Sequence, residues 1–234
     1  MDENNLQVFL YVDSNKFLIS VHQHDNFKNI YLNKFIKKNN QNELTLDDLE
    51  IFLDQNVYKI EKLFNTFIKD INLIIDHKDI LSVNVSIKKN NNGDEISLEN
   101  IKHALNEIKY QFKDSFNNKT IIHMMINQYL IDGKEFLSLP QKMKCKTFSL
   151  DVTFISLSNE LIEELEKICK KYQISIDKFL SAQYVKKTSK LSNNEELFLM
   201  SKKIMEGFND NEIIISSKIT RKIGFFERFF QLFG

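Results

Sequence analysis

The chain has 234 residues, 42% of them hydrophobic and 27% charged, enough for one large folded domain or two small ones. Its 32 Lys and Arg offset 32 Asp and Glu, so no overall field draws it to nucleic acid. It has no run of ~18 apolar residues to span a bilayer. Its two cysteines, Cys145 and Cys169, stand outside any CxxC spacing and read as idle cytosolic thiols.

The opening MDENNLQVFL is acidic and polar, unlike a secretory signal, so a cytoplasmic chain is expected. Residues 6–12 (LQVFLYV) and 16–22 (KFLISVH) are β-rich runs joined by the turn-forming Asp13-Ser14-Asn15, and they predict a hairpin. Residues 27–36 predict a third strand, and KKNNQNE a polar loop. Thr45 is the expected cap of a long helix, with Asp47 and Asp48 suiting its dipole. From Leu46 the apolar spacing of three and four runs through Phe64, Phe67 and Ile71, about seven turns. LSVNVSI (81–87) alternates as a strand, and KKNNNGDE, with Gly93 at its tip, reads as a loop and a boundary.

Ser97 is expected to cap a second helix, 98–113, with Ile101, Leu105, Ile108 and Phe112 inward. Residues 119–131 predict a strand, Asp132-Gly133 a turn, and 146–156 a strand with Phe148, Leu150, Val152 and Phe154 on one face. Ser158 caps a helix carrying Leu161, Leu165, Ile168 and Cys169, and 174–185 reads as a further strand. Ser192 and Glu195 predict a capping box for a helix to about Phe208. Residues 209–222 read as a linker, in which Ile213–Ile215 could add a short strand. The fold class is α/β or α+β.

At HMMINQYLIDGKE (123–135) the sequence resembles the FtsA family, the actin-like proteins of bacterial cell division, which carry a segment of the form H-V-I-P-Q-E-Y-x-I-D-G-Q-E. His123, Tyr129, Ile131, Asp132, Gly133 and Glu135 match it without a gap, and Pro140 and Met143 fit the proline and methionine with which the family continues. The resemblance runs from about 119 to 183, through FSLDVTFIS, SNELIEELEKICKKY and ISID ending at Asp177. More weakly, LYVDSNKFLISV sits where the family has its first phosphate hairpin, and the closing GFFERFFQLFG resembles its membrane-targeting helix.

The resemblance implies a partial actin-like (ribonuclease-H-like) subdomain. Its N-terminal part would be 1–90, with a return over 158–208. A small α/β subdomain of FtsA type would be inserted at 94–157. A linker (209–222) and an amphipathic membrane-targeting helix (223–234) would come last. In the family the inserted subdomain contacts neighbouring FtsA molecules and other division proteins. FtsZ is a family partner too, although the lobe that docks it has no counterpart in this sequence.

The sequence departs from the family at the nucleotide. In the first phosphate hairpin, Tyr11 replaces an aspartate and Asp13 a glycine. Such a loop holds phosphate by close approach of backbone N–H groups, which a side chain obstructs. Asp13 also brings a negative charge, a repulsion on the order of 4 kcal/mol at ~4 Å and an effective dielectric of ~20. None of the five glycines could build the family's second phosphate loop. Asp13, Ser14, Asn15 and Lys16 therefore read as a degenerate phosphate hairpin or an ordinary turn, with no cofactor and no enzymatic activity expected.

Other candidate sites are weaker. His22 and His24 share a strand face, but with only Asp25 beside them they complete no metal site. Asp132 and Glu135 flank a turn and read as solvated carboxylates rather than an acid–base pair. No GxSxG, P-loop or GxGxxG is present.

Five of the last eleven residues are Phe. On a helix, Phe225, Phe226, Phe229, Phe230, Leu232 and Phe233 fall in one arc of about 160°, and Glu227, Arg228 and Gln231 take the other side. Lys218, Arg221, Lys222 and Arg228 stand against Glu227 alone, a net of +3 over 216–234. Aromatic amphipathic helices flanked by basic residues are drawn to anionic membrane surfaces.

Six partly inserted side chains gross ~6–10 kcal/mol. Ordering the segment takes back a comparable amount. One such helix should bind reversibly, and several on one assembly firmly. The competing reading packs this helix on its own domain.

The expected function is a non-enzymatic, self-associating adaptor or scaffold of the division machinery, peripheral on the inner face of the membrane at the septum. The alternatives are a diverged actin-like ATP-binding protein and an actin-like scaffold of pilus assembly.

Overall fold

LQVFLYV and KFLISVH meet as an antiparallel hairpin, β1 (Leu6–Asp13) and β2 (Lys16–Gln23), in the register the intervening turn sets. The computed structural model describes residues 6–36, 45–140, 142–188 and 194–213. After the hairpin come β3 (Asn29–Ile36), α1 (Leu46–Phe64), β4 (Asp70–Asp76), β5 (Leu81–Asn90) and α2 (Leu98–Ser115). Next are β6 (Lys119–Ile131), β7 (Lys134–Phe136), β8 (Thr147–Ser158), α3 (Asn159–Lys171), β9 (Ser175–Ser181), α4 (Ala182–Thr188) and α5 (Asn194–Met205). They form two units, one drawn from Met1–Ile80 and Asn159–Met205, the other from Leu81–Ser158 and the chain from Glu206.

The first unit has a five-stranded sheet in the order β3-β2-β1-β4-β9, with β1, β4 and β9 parallel and β2 antiparallel to both neighbours. This is the ribonuclease-H-like arrangement of an actin-like subdomain. Both faces of the sheet are covered. Phe17 meets Phe52 of α1 on one face, and Phe9 meets Phe198 of α5 on the other. Cover on both faces explains why β1, β2 and β4 are near-continuous apolar runs rather than alternating ones. Helix α3 lies beside α1, where Lys171 donates to Glu50 at 2.6 Å and Tyr172 to Asp54 at 2.6 Å.

The long helix ends earlier than its apolar spacing suggests. Asn65 takes the left-handed conformation (φ 50°, ψ 42°), and the N–H groups of Asn65 and Thr66 both return to the Glu61 carbonyl. Phe67 then stands 80% exposed, and Ile71 belongs to β4. The helical spacing ran on into a strand whose apolar run, INLII, is buried between β1 and β9. Thr45 takes the extended backbone of a cap, but its side chain makes no capping bond.

The second unit has an antiparallel sheet in the order β5-β8-β6-β7, with α2 on one face. Ser97 caps α2 reciprocally with Asn100. The expected Ile101, Leu105, Ile108 and Phe112 are all buried, among Leu150, Val152 and Phe154 of β8 and Met124, Ile126 and Tyr129 of β6. Phe112 stacks on Phe154 with centroids 4.7 Å apart.

Three expected boundaries shift. β5 pairs with β8 along its whole length, so the second unit begins at Leu81, not beyond Gly93. Residues 174–185 split into β9 and α4 where Ser181 Oγ accepts from the Tyr184 N–H. Residues 209–213 are not linker but a turn and a single antiparallel bridge, Glu212 to Met125, docked on β6, with Ile213 in the core. Residues 214–222, the aromatic tail and Ser192 lie outside the described residues.

Candidate functional site

The parallel arrangement of β1 and β4 sets Asp13 and Asp76 side by side at the strands' C-terminal ends, where α/β folds hold their ligands. Asp13 does not reach outward. Its Oδ1 accepts from the N–H groups of Asn15 and Lys16, each at 2.7 Å. The two amides that a phosphate would need are thus held by the hairpin's own carboxylate.

The next layer is closed as well. Tyr11 is buried under the turn, and the Lys186 ammonium donates to Asp76 at 2.6 Å and to the Tyr11 hydroxyl at 3.3 Å. Lys16 and Lys186 stand 5.0 and 5.6 Å from the Tyr11 ring centroid. Burial, with the Asp13 and Asp76 carboxylates adding to it, pushes the Tyr11 phenol well above its ordinary range. Two carboxylates, Asp13 and Asp76, and two ammoniums, Lys16 and Lys186, thus stand around a protonated phenol. Sequence reasoning found Tyr11 and Asp13 but missed Asp76 and Lys186, because only the parallel pairing and the β9–α4 turn bring residues so distant in sequence together.

His22 is a core residue. Its Nδ1 donates to the Phe27 carbonyl at 3.3 Å, Nε2 lies 2.8 Å from Ser20 Oγ, and the ring stacks on Phe27 at 4.1 Å. His24 lies beyond the strand in an exposed turn, so the two share no strand face. No group of three metal-ligating side chains stands together among the described residues. Asp132 (φ 45°) accepts from the Lys146 and Thr147 N–H groups, which hold its carboxyl below the usual range. Glu135 lies exposed on β7. Both cysteines are buried and free, and burial pushes the Cys169 thiol up to about 12. Lys218, Arg221, Lys222 and the aromatic residues Phe225–Phe233 lie outside the described residues.

The second unit presents a different surface. Opposite α2, its sheet carries a polar ladder: Ser86 donates to Asp151 at 2.5 Å, Thr153 to Asn84 at 2.5 Å, and Asn127 to Thr153 at 2.7 Å. β5 is an edge strand. The family model described as the SHS2 domain inserted in FtsA matches residues 78–156, from just before β5 almost to the end of β8.

Over these residues the chain is similar to the SHS2 domain inserted in FtsA. The match begins well upstream of the resemblance read from the sequence and takes in β5 and α2, in keeping with the strand pairing. No curated protein matches the chain.

Among solved structures, the chain is similar to the PilM–PilN type IV pilus biogenesis complex (6% identity, 76% of this chain and 48% of that one, TM-score 0.48). It is similar to the cytoplasmic domain of EpsL, an inner membrane component of the type II secretion system of Vibrio cholerae (7%, 77% and 57%, TM-score 0.39). It is also similar to a Bacteroides thetaiotaomicron protein with an actin-like ATPase fold (13%, 82% and 61%, TM-score 0.34). The chain spans 48–61% of the length of these three. No helix among the described residues is long and apolar enough to cross a membrane.

Proposed function

We propose that the protein is a non-enzymatic, FtsA-like scaffold that rests on an anionic membrane surface through residues 224–234 and offers its SHS2 unit to protein partners, other copies of itself among them. The septal division machinery is the setting this reading favours, on the inner face of the membrane. The observation that carries it is the SHS2 domain itself, folded around its own core and bearing a polar sheet face. The Asp13 carboxylate on its own turn supports the absence of nucleotide chemistry, since a triphosphate would have to displace it from both hairpin amides.

Liposome co-sedimentation of the full chain against a 1–222 truncation tests the membrane part. The full chain should pellet with anionic vesicles and the truncation should stay in solution, whereas equal pelleting would sink the tether. Equilibrium dialysis with labelled ATP and Mg²⁺ tests the rest. Binding should be undetectable at micromolar nucleotide, and micromolar affinity would restore the ATP-binding alternative.

A further inference from the structure

Residues 209–213 are held on the free edge of β6 from both faces of the sheet. The Ile126 N–H donates to the Asn211 carbonyl at 2.9 Å, and the Ile213 N–H to the Met124 carbonyl at 2.7 Å, an antiparallel pairing centred on Met125 and Glu212. On the core face, Ile213 is buried against the α2 side of the sheet. On the opposite face, the His123 imidazole donates from Nδ1 to Glu212 Oε1 at 2.7 Å, with both side chains almost wholly buried. The Asn211 side-chain amide adds a bond to the Leu137 carbonyl at 2.8 Å. Register shifts in β6 between Ile121 and His123 and between Ile126 and Gln128 flank the docked stretch.

This segment differs from the strands around it. It is short, it takes in two ladder bonds to β6, the Ile213 anchor, the Asn211 bond to Leu137 and the acid–imidazole contact, and it comes after Gly207, whose φ of +84° suits a turning point. Small units of this kind open at lower free energy than the sheet they sit on. The His123–Glu212 contact also selects the register. A slip of one residue would turn Ile213 out of the core and leave a buried acid and imidazole without each other.

We propose that Asn209–Ile213 is a detachable strap, latched by Glu212 on His123, that sets where the chain beyond residue 213 leaves the SHS2 unit. Closed, the strap leaves ten residues, 214–223, between the SHS2 sheet and the aromatic tail, a reach of at most ~35 Å. Open, the same tail hangs from the end of α5 by residues 206–223, a reach of at most ~60 Å. The strap would thus set the tether length. That consequence rests on the membrane reading, but the strap does not.

Residue-resolved hydrogen exchange on the full chain without lipid tests it, with the β8 amides as the internal reference. In the wild type the Ile213 and Ile126 amides should exchange at least tenfold faster than those of Leu150 and Val152. Glu212→Gln should speed them a further tenfold or so, the factor one charge-assisted hydrogen bond carries, with β8 unchanged. Ile213→Ala should do the same from the other face, which guards against a defect peculiar to the glutamine. The strap is refuted if these amides exchange in step with β8 in the wild type, or if neither variant moves them. Because no lipid is present, failure of the tail to bind vesicles leaves this result untouched.

Discussion

The two sheets meet water differently. The first unit covers its sheet on both faces and uses its strand ends internally, with Asp13 on its own turn and Lys186 on Asp76 and Tyr11. The second covers one face with α2 and leaves the other as a polar ladder beside an open edge. The first turns charged side chains on one another at its strand ends, whereas the second keeps a polar sheet face and an edge strand.

The largest way to break this contrast is to empty the second core. Phe112→Ala removes the ring stacked on Phe154 and should cost ~3–5 kcal/mol, read from urea unfolding. Exchange protection should fall across α2 and β8 while β1 and β4 keep theirs. Equal losses in both would show that the two units share one cooperative core.

A smaller effect tests the closed hairpin. Asp13→Ala frees the Asn15 and Lys16 amides and should cost about 1–2 kcal/mol, with faster exchange at those two positions. An unchanged stability would mean that the carboxylate is incidental to the turn.

The smallest is a pH effect on the first core. Burial holds His22 below its ordinary 6.5, with Lys202 adding to this while the Phe27 carbonyl and Glu195 oppose it. The unfolded chain keeps the ordinary value, so it takes up protons first as the pH drops. The stability His22 contributes is therefore complete above ~6.5 and is lost as pH falls from there toward the lower folded value. Urea midpoints should decline as the pH falls below about 6.5, and His22→Gln should flatten part of that slope.

Local chemistry dictated much of this protein. The hairpin, β3, β5, β6, β8, α2 and α3 follow from periodicity and caps, and the inward residues of α2 and β8 follow from which face repeats. The FtsA likeness was legible at HMMINQYLIDGKE because a run of residue types survives in order there.

What the sequence could not decide depends on partners distant along the chain. INLII became a strand because β1 and β9 flank it, and helical spacing alone cannot see that pairing. β5 joined the second unit because β8 lies beside it. Asp76 and Lys186 closed the strand-end cluster, and Glu212 found His123, across separations of 110 and 89 residues. Spacing and capping act over a few bonds, whereas burial and charge pairing act through space, and only the folded chain sets which distant side chains share it.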